Sequence, residues 1–362
     1  MFTNHRYRYL KPLLIVPLAL LVLSGVLSSS GTAYAAGKAA FTVMAGQHFD
    51  EGDILAFAPQ TIRVHRGDSI TWKFAPVHDV HLADKPIDPS QLAVIANIDG
   101  QQLPTLNPAI AFPNSQSGDA AKPGMSSGVL GAPGGPTEYT SVIDLAPGTY
   151  TYWCDIHTGM GGQIVVVDDS VTIPSPSDDV AEGQKQFADV ISQSSAGYIT
   201  ASENAQSQPI GDTLQISAGF SVGPGTVNRF FPAVGIIQEG QTVNWTVPAG
   251  LESHTVNFSL PADGSLPDSL IPVTDSKGNP YAVFGPTLNP SAKSGDTFTG
   301  KDIGSGLIPP TQSFSLKFPK AGVYKYFCAI HPGHVGTIVV LPASIPLSPQ
   351  IAATQAATST AQ

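Results

Sequence analysis

Charge is scarce in this sequence, and positive charge is scarcer than negative. Only 12% of residues are charged, and 17 basic side chains face 27 acidic ones, for a formal charge of −10. A surface of that sign repels nucleic-acid phosphates, so no nucleic acid is expected as a partner and a neutral or basic protein surface is favoured. Cysteine is rarer still, at two residues, and methionine stands at four. Two thiols exclude a disulfide-dense scaffold, and so few thioethers weigh against a flexible methionine-rich metal buffer.

Long apolar runs are also missing. The longest, Leu13 to Leu27, covers about 15 residues against the roughly 20 that a spanning helix needs. Arg6, Arg8 and Lys11 precede it and Ala33-Tyr34-Ala35 follows it, the three-part pattern of a secretory signal. An uncleaved membrane anchor is the competing reading, and with no cysteine near the cleavage point a lipid anchor is excluded. The expected location is therefore extracytoplasmic: secreted, periplasmic or at the cell surface. Removing residues 1–35 takes away three basic residues and no acidic one, so the charge becomes −13.

Glycine and proline are abundant, at 36 and 32 residues, which favours turn-rich β structure over helical bundles. The two cysteines open matching segments, Cys154-Asp155-Ile156-His157-Thr158-Gly159-Met160 and Cys328-Ala329-Ile330-His331-Pro332-Gly333-His334. A thiolate, an imidazole and a thioether within seven residues form a soft mixed S/N donor set. That set suits copper better than magnesium, calcium or a four-sulfur cluster. Such a site needs one more histidine from elsewhere in the chain.

The chain repeats itself, and the repeat locates that histidine. At a shift of 173, Ala45-Gly46 falls on Ala218-Gly219, Phe57 on Phe230, Trp72 on Trp245 and His81 on His254. At 174, Tyr150-x-Tyr152-x-Cys154 falls on Tyr324-x-Tyr326-x-Cys328, and His157 on His331. His48, His65 and His78 have no counterpart. His78 is read as a solvated loop residue, or as a competing or outer group. A disulfide between the cysteines is disfavoured by their equivalent places in separate modules. Met160 as core filler and His334 as a surface residue are the plain alternatives to ligation.

Strands are legible around these landmarks. Thr61 to Val64, a Gly67-Asp68 turn, then Ile70, Trp72 and Phe74 alternate as a hairpin with one buried face. Tyr150, Tyr152 and Cys154 share one side of a strand. The β-branched runs Gln163–Val167 and Thr337–Leu341 suit sandwich-core strands. The segment 169–212 reads as a linker with a short amphipathic helix through Val180, Gln184, Phe187 and Ile191.

With those residues in place, each half resembles a cupredoxin, the blue-copper domain of plastocyanin, pseudoazurin and amicyanin. The resemblance covers roughly residues 40–168 and 213–342, and the Cys-x2-His-x2-Met spacing is that of amicyanin. It implies an all-β fold of two Greek-key β-sandwich domains in tandem: signal 1–35, domain 37–168, linker 169–212, domain 213–342 and a disordered tail 343–362. It implies two copper ions, one held by His81, Cys154, His157 and Met160 and the other by His254, Cys328 and His331. His334 stands where an axial methionine is expected. In these families an Asn often follows the first histidine; here the residue is Leu82 in one copy and Thr255 in the other. The insertions 85–136 and 260–312 exceed a minimal domain and are read as long ordered loops.

The expected function is an exported dicopper electron carrier rather than an enzyme, with redox proteins as partners and association with a membrane surface as a further expectation. Electrons would enter where His157 and His331 approach the surface, with Trp153 and Phe327 pointing outward as a second route. Copper sequestration or delivery and copper oxidoreductase chemistry are the alternatives. Multicopper oxidases build further sites from His-x-His pairs, and the sequence contains none.

Overall fold

Aliphatic and aromatic residues alternate through two sets of short strands, and each set closes into a β-sandwich. The computed structural model describes residues 38–347 apart from 133, 259–267 and 301; the signal segment 1–35 and most of the tail 343–362 lie outside the described residues. In the first module the strands Gly52–Ala58, Ala40–Phe49, Ser69–Phe74 and Glu138–Val142 form one layer. Thr61–His65, Gly161–Val167, Gly148–Trp153 and His81–Leu82 form the other. The second module repeats both layers, the second of them as Val234–Gln238, Val335–Leu341, Gly322–Phe327 and Asn257–Phe258. Each core centres on a buried tryptophan edge-on to a buried tyrosine: Trp72 with Tyr152 at 5.6 Å and Trp245 with Tyr326 at 5.2 Å between ring centroids.

The modules do not hang as beads on a string. Gly52–Ala58 pairs antiparallel with Gly225–Phe231, in the register Ile54↔Gly225, Asp53↔Thr226 and Gly52↔Val227, so one nine-stranded sheet runs through both sandwiches. Each edge strand thereby gives its unpaired backbone groups to the other. Asn228 N–H donates to Glu51 O at 2.8 Å and Leu55 N–H to Pro224 O at 2.8 Å, which fixes the pairing.

The insertions read as loops each contain a hairpin. Ala93–Ile98 pairs with Gln101–Leu106, and Leu270–Thr274 with Pro280–Phe284. The two hairpins then meet, Leu106 opposite Ala282 and Thr105 opposite Val283, in a four-stranded sheet made half by each module. The turn residues explain the first hairpin: Asp99 and Gly100 both adopt positive φ, which suits an Asp-Gly reversal.

The short helix expected in the linker is a helix of 29 residues, Pro176–Asn204. Ser175 caps it, exchanging hydrogen bonds with Asp178 in a capping box, and Pro176 takes the first turn, where its missing N–H costs nothing. Phe187 is buried against Ile54 and Ala58, on the strand that carries the junction. Replacing Phe187 with Ala should lower unfolding stability by about 3–5 kcal/mol, measured by denaturant melts, because the cavity would open under the shared sheet. A loss below 1 kcal/mol would show that the helix is not anchored there.

Candidate metal centres

In the second module, His254, Cys328, His331 and His334 are all buried, and one ligand atom from each lies within 4.8 Å of all the others. His254 Nδ1 and His331 Nδ1 are 3.1 Å apart, and Cys328 Sγ lies 3.3 Å from the second and 3.9 Å from the first. His334 closes the set. Its N–H donates to His331 O, its carbonyl accepts from Cys328 N–H, and its buried ring nitrogens have no hydrogen-bond partner among the described residues. A buried imidazole with both nitrogens unsatisfied is costly unless something else takes the lone pair. The soft S/N donor set fits a copper ion.

In the first module the same triangle is built from Cys154, His157 and His78. His157 Nδ1 and His78 Nδ1 are 2.9 Å apart, and Cys154 Sγ lies 3.5 and 3.6 Å from them. His81, expected from the repeat, is not brought to this cluster. Its ring is partly exposed and its Nδ1 stands 3.0 Å from Asp155 Oδ2. Strand register shows why. His81 lies opposite Trp153 and Asn257 opposite Phe327, so His81 is the counterpart of Asn257, and the residue three earlier, His78, is the counterpart of His254. Isolated bridges agree: His78 meets Leu130 as His254 meets Ile308. Gly46 and Gly219 supply a further match, since both have positive φ and a Cβ on either would strike the Nε2 of its own module's histidine. The gapless alignment failed because the first histidine follows Trp72 by six residues but Trp245 by nine.

The same slip moves the residue that ties the two loops together. It is Asp79, not Leu82. Asp79 Oδ1 accepts from Asp155 N–H at 2.8 Å, as Thr255 Oγ1 accepts from Ala329 N–H at 2.7 Å. Met160 occupies the place of His334: it is buried, its N–H donates to His157 O and its carbonyl accepts from Cys154 N–H.

His331 is buried, whereas His157 keeps a partly exposed side chain. The three extra residues of the second module lengthen the loop after Trp245, and that loop lays Leu251 against the first core beside Gly159. It also sets Glu252 Oε1 3.0 Å from His331 Nε2 and 3.8 Å from His157 Nε2. The hairpin sheet roofs the other side, where Ile156 and Ile330 from the two cysteine loops join Leu106, Phe284 and Phe327 in one apolar cluster. Phe327 is therefore buried and gives no outward route; Trp153 remains partly exposed.

The electrostatics of the two triangles differ. Burial pushes the Cys154 thiol well up, and Asp79 adds to it. Burial opposes ionisation of Cys328 too, but the His331 imidazolium overrides it and holds that thiol well below its ordinary value. His331 is raised against burial by Glu252 and Cys328, whereas burial lowers His157 to about 4. Glu252 stays ionised although burial opposes it, because His331 and His157 face it.

Two β-sandwiches each carry a Cys/His/His triangle at one pole, fully buried in the second module and largely so in the first, that could hold a soft metal ion. Residues 44–167 match the family described as copper binding proteins, plastocyanin/azurin family, so that this module is cupredoxin-like. Among solved structures, a variant of amicyanin in its Cu(I) state is 17% identical over 36% of this chain and 85% of its own length, at TM-score 0.22. Amicyanin from Paracoccus versutus (Thiobacillus versutus) is 16% identical over 37% of this chain and 85% of its own, at TM-score 0.21.

Two outcomes follow from this geometry. His78→Gly should open a coordination position that added imidazole refills, whereas His81→Gly should leave the metal spectrum of the first module intact; the reverse pattern would restore the gapless alignment. Asp79 gives a pH effect in the metal-free protein. Burial, with Asp155 adding, raises its carboxyl to about 7, above an unfolded value near 3.9. Over that window the folded chain keeps a proton that the unfolded chain has released, so stability falls as pH rises from about 4 to about 7. Asp79→Asn retains the acceptor oxygen and loses the titration. It should gain on the wild type by up to roughly 4 kcal/mol at pH 8 and by little at pH 4, compared by denaturant melts. An equal effect at both pH values would refute the assignment.

Proposed function

We propose that this chain is an exported carrier of electrons that holds two copper ions, one per module, and catalyses no substrate reaction. The observation that carries it is the duplicated triangle: one cysteine sulfur and two Nδ1 atoms converge in each module, buried at the pole of a rigid sandwich. His78, Cys154 and His157 would hold one ion and His254, Cys328 and His331 the other. Met160 and His334 would add a fourth donor to each set. Copper bound there supplies one-electron chemistry between Cu(I) and Cu(II).

The chain's own residues do the rest. Asp79 and Thr255 fasten each first-histidine loop to the cysteine loop, which resists rearrangement when the charge at the centre changes. The apolar cluster over both poles keeps water away from the donors. No general acid, base or nucleophile enters this reading. Export is supported by the signal pattern of residues 1–35, and redox proteins outside the cytoplasm are the partners this role requires.

The differing fourth donors, Met160 and His334, should separate the two centres. A thioether is a weak soft donor that favours Cu(I), whereas an imidazole donates more strongly and favours Cu(II). The second module should therefore have the lower potential, and His334→Met should move it towards the first.

Copper titration of the full chain tests the reading. Two tightly held ions with intense thiolate absorption are expected, with Cys154→Ser and Cys328→Ser each removing one ion and its band. One ion per chain, or weak absorption, would overturn the dicopper reading. Sustained turnover of oxygen or nitrite would replace the carrier with an oxidoreductase, and ready release of copper to an acceptor protein would favour delivery.

A further inference from the structure

The two clusters share one side chain. Glu252 has a side chain 8% exposed, and a single oxygen of it, Oε1, meets both His331 Nε2 and His157 Nε2, the first at hydrogen-bond distance and the second at ion-pair distance. In both imidazoles Nδ1 is the atom turned towards the thiol, so that with Nδ1 given to a metal ion Nε2 would carry the N–H that faces the carboxylate. Oε2 has no hydrogen-bond partner among the described residues. The backbone junction holds this arrangement in place. Asp53, paired with Thr226 across the shared sheet, brings a carboxylate oxygen into the same group as Glu252 and His331, and accepts from Asn228 Nδ2 at 2.8 Å.

Glu252 has no reason to be there for the fold alone. A carboxylate buried without a counter-charge costs several kcal/mol or more, and a loop of this length could have closed on an apolar residue, as Leu251 beside it does. Its position also covers the Nε2 edge of buried His331 and part of that of His157. The edges by which each module could pass an electron onward instead face each other across one oxygen, under an apolar roof where electrostatic interactions are weakly screened.

We propose that Glu252 joins the two clusters into one redox unit, an electron passing between them along His157, Glu252 and His331. This rests on the dicopper reading above. In the exchange one centre goes from Cu(I) to Cu(II) and the other from Cu(II) to Cu(I); no proton is released, no bond to carbon is made, and no outside oxidant or reductant is consumed. Glu252 is a positioning residue, since it orients both imidazoles and touches neither metal position.

The test uses the full chain with Glu252→Leu and Glu252→Gln. Leucine removes the acceptor at similar volume, and glutamine keeps an acceptor oxygen without the charge. In the copper-loaded protein, half-reduced by a flash-generated one-electron donor, the relaxation between the two thiolate absorption bands reads the exchange. Glu252→Leu should slow it at least tenfold while both ions stay bound, and Glu252→Gln should restore most of the rate. In the metal-free protein, histidine 15N spectra should show the Nε2 signals of both His157 and His331 shifting in Glu252→Leu, with an unchanged fold by circular dichroism. A wild-type exchange rate in Glu252→Leu with two ions bound overturns the proposal, and so does a 15N response confined to one histidine. Loss of a third, separately bound ion from the Asp53–Glu252–His331 group, with exchange unaffected, also overturns it. Failure of the wild type to bind two ions is seen first, in the copper titration, and is a failure of the dicopper reading; the 15N arm then decides the bridge alone.

Discussion

The pairing of Gly52–Ala58 with Gly225–Phe231 is the constraint on which the rest of this molecule depends. Two sandwiches could have been joined by a tether and left their sheet edges to solvent. Here each edge satisfies the other's backbone groups, and the long helix seals the seam through Phe187 on Ile54 and Ala58. Edge pairing fixes orientation as well as proximity, because the register leaves the poles of the two sandwiches facing one another. The hairpin sheet, half from each module, fastens the same pole from a second direction. With both fastenings made, the cysteine loops share one apolar cluster and the loop bearing Glu252 has a single place to go.

Burial at that pole has an electrostatic cost that explains the distribution of polar groups there. Unpaired buried polar atoms are rare in folded proteins, yet among the described residues His334 keeps both ring nitrogens unsatisfied and His78 keeps Nε2 unsatisfied. Around them the polar contacts are closely made: Asp79 and Thr255 on backbone N–H groups, His81 on Asp155, His331 on Glu252. Unsatisfied buried atoms also occur elsewhere, on Trp72, Tyr152, Trp245 and Tyr326 among others, but at the donor sets the satisfied contacts are those that hold the loops still.

Much of this was legible in the sequence, and the failures have a common cause. The cysteine segments named three residues that the structure brings together in the second module and two in the first, and the repeat added His254. The β-branched runs and the tryptophan landmarks marked the sandwich strands. What went wrong came from sliding one half along the other without a gap. Spacing that is rigid inside a strand is free in a loop, and the loop after Trp245 is three residues longer than the one after Trp72. That displaced the first histidine from His78 to His81, and the tying residue from Asp79 to Leu82. It also hid Glu252, which has no counterpart to align with. The hairpins of the insertions left signals that went unread, chiefly the Asp99-Gly100 turn. Their pairing with each other, like the pairing of the two sandwiches, joins residues about 175 positions apart and leaves no local signature.

The two halves differ most where the fold constrains them least. Apart from the short edge strand Asp296–Thr297 of the second module, the layers repeat, since a substitution inside Ile62-x-Val64 or Trp72-x-Phe74 would open a cavity in a close-packed core. The loops at the pole carry no such penalty, and there nearly every outer position has changed: Asp79 against Thr255, His81 against Asn257, Met160 against His334, and a longer loop on one side only. Each change alters charge or donor strength beside a triangle whose own three residues are the same in both modules. Negative charge lies close to the thiol in the first module, whereas in the second it lies beyond the far edge of His331, and the opposite directions taken by Cys154 and Cys328 reflect that placement. Duplication supplied two copies of one site. Loop divergence made them unequal, and the shared sheet edge kept them close enough for the inequality to act between them.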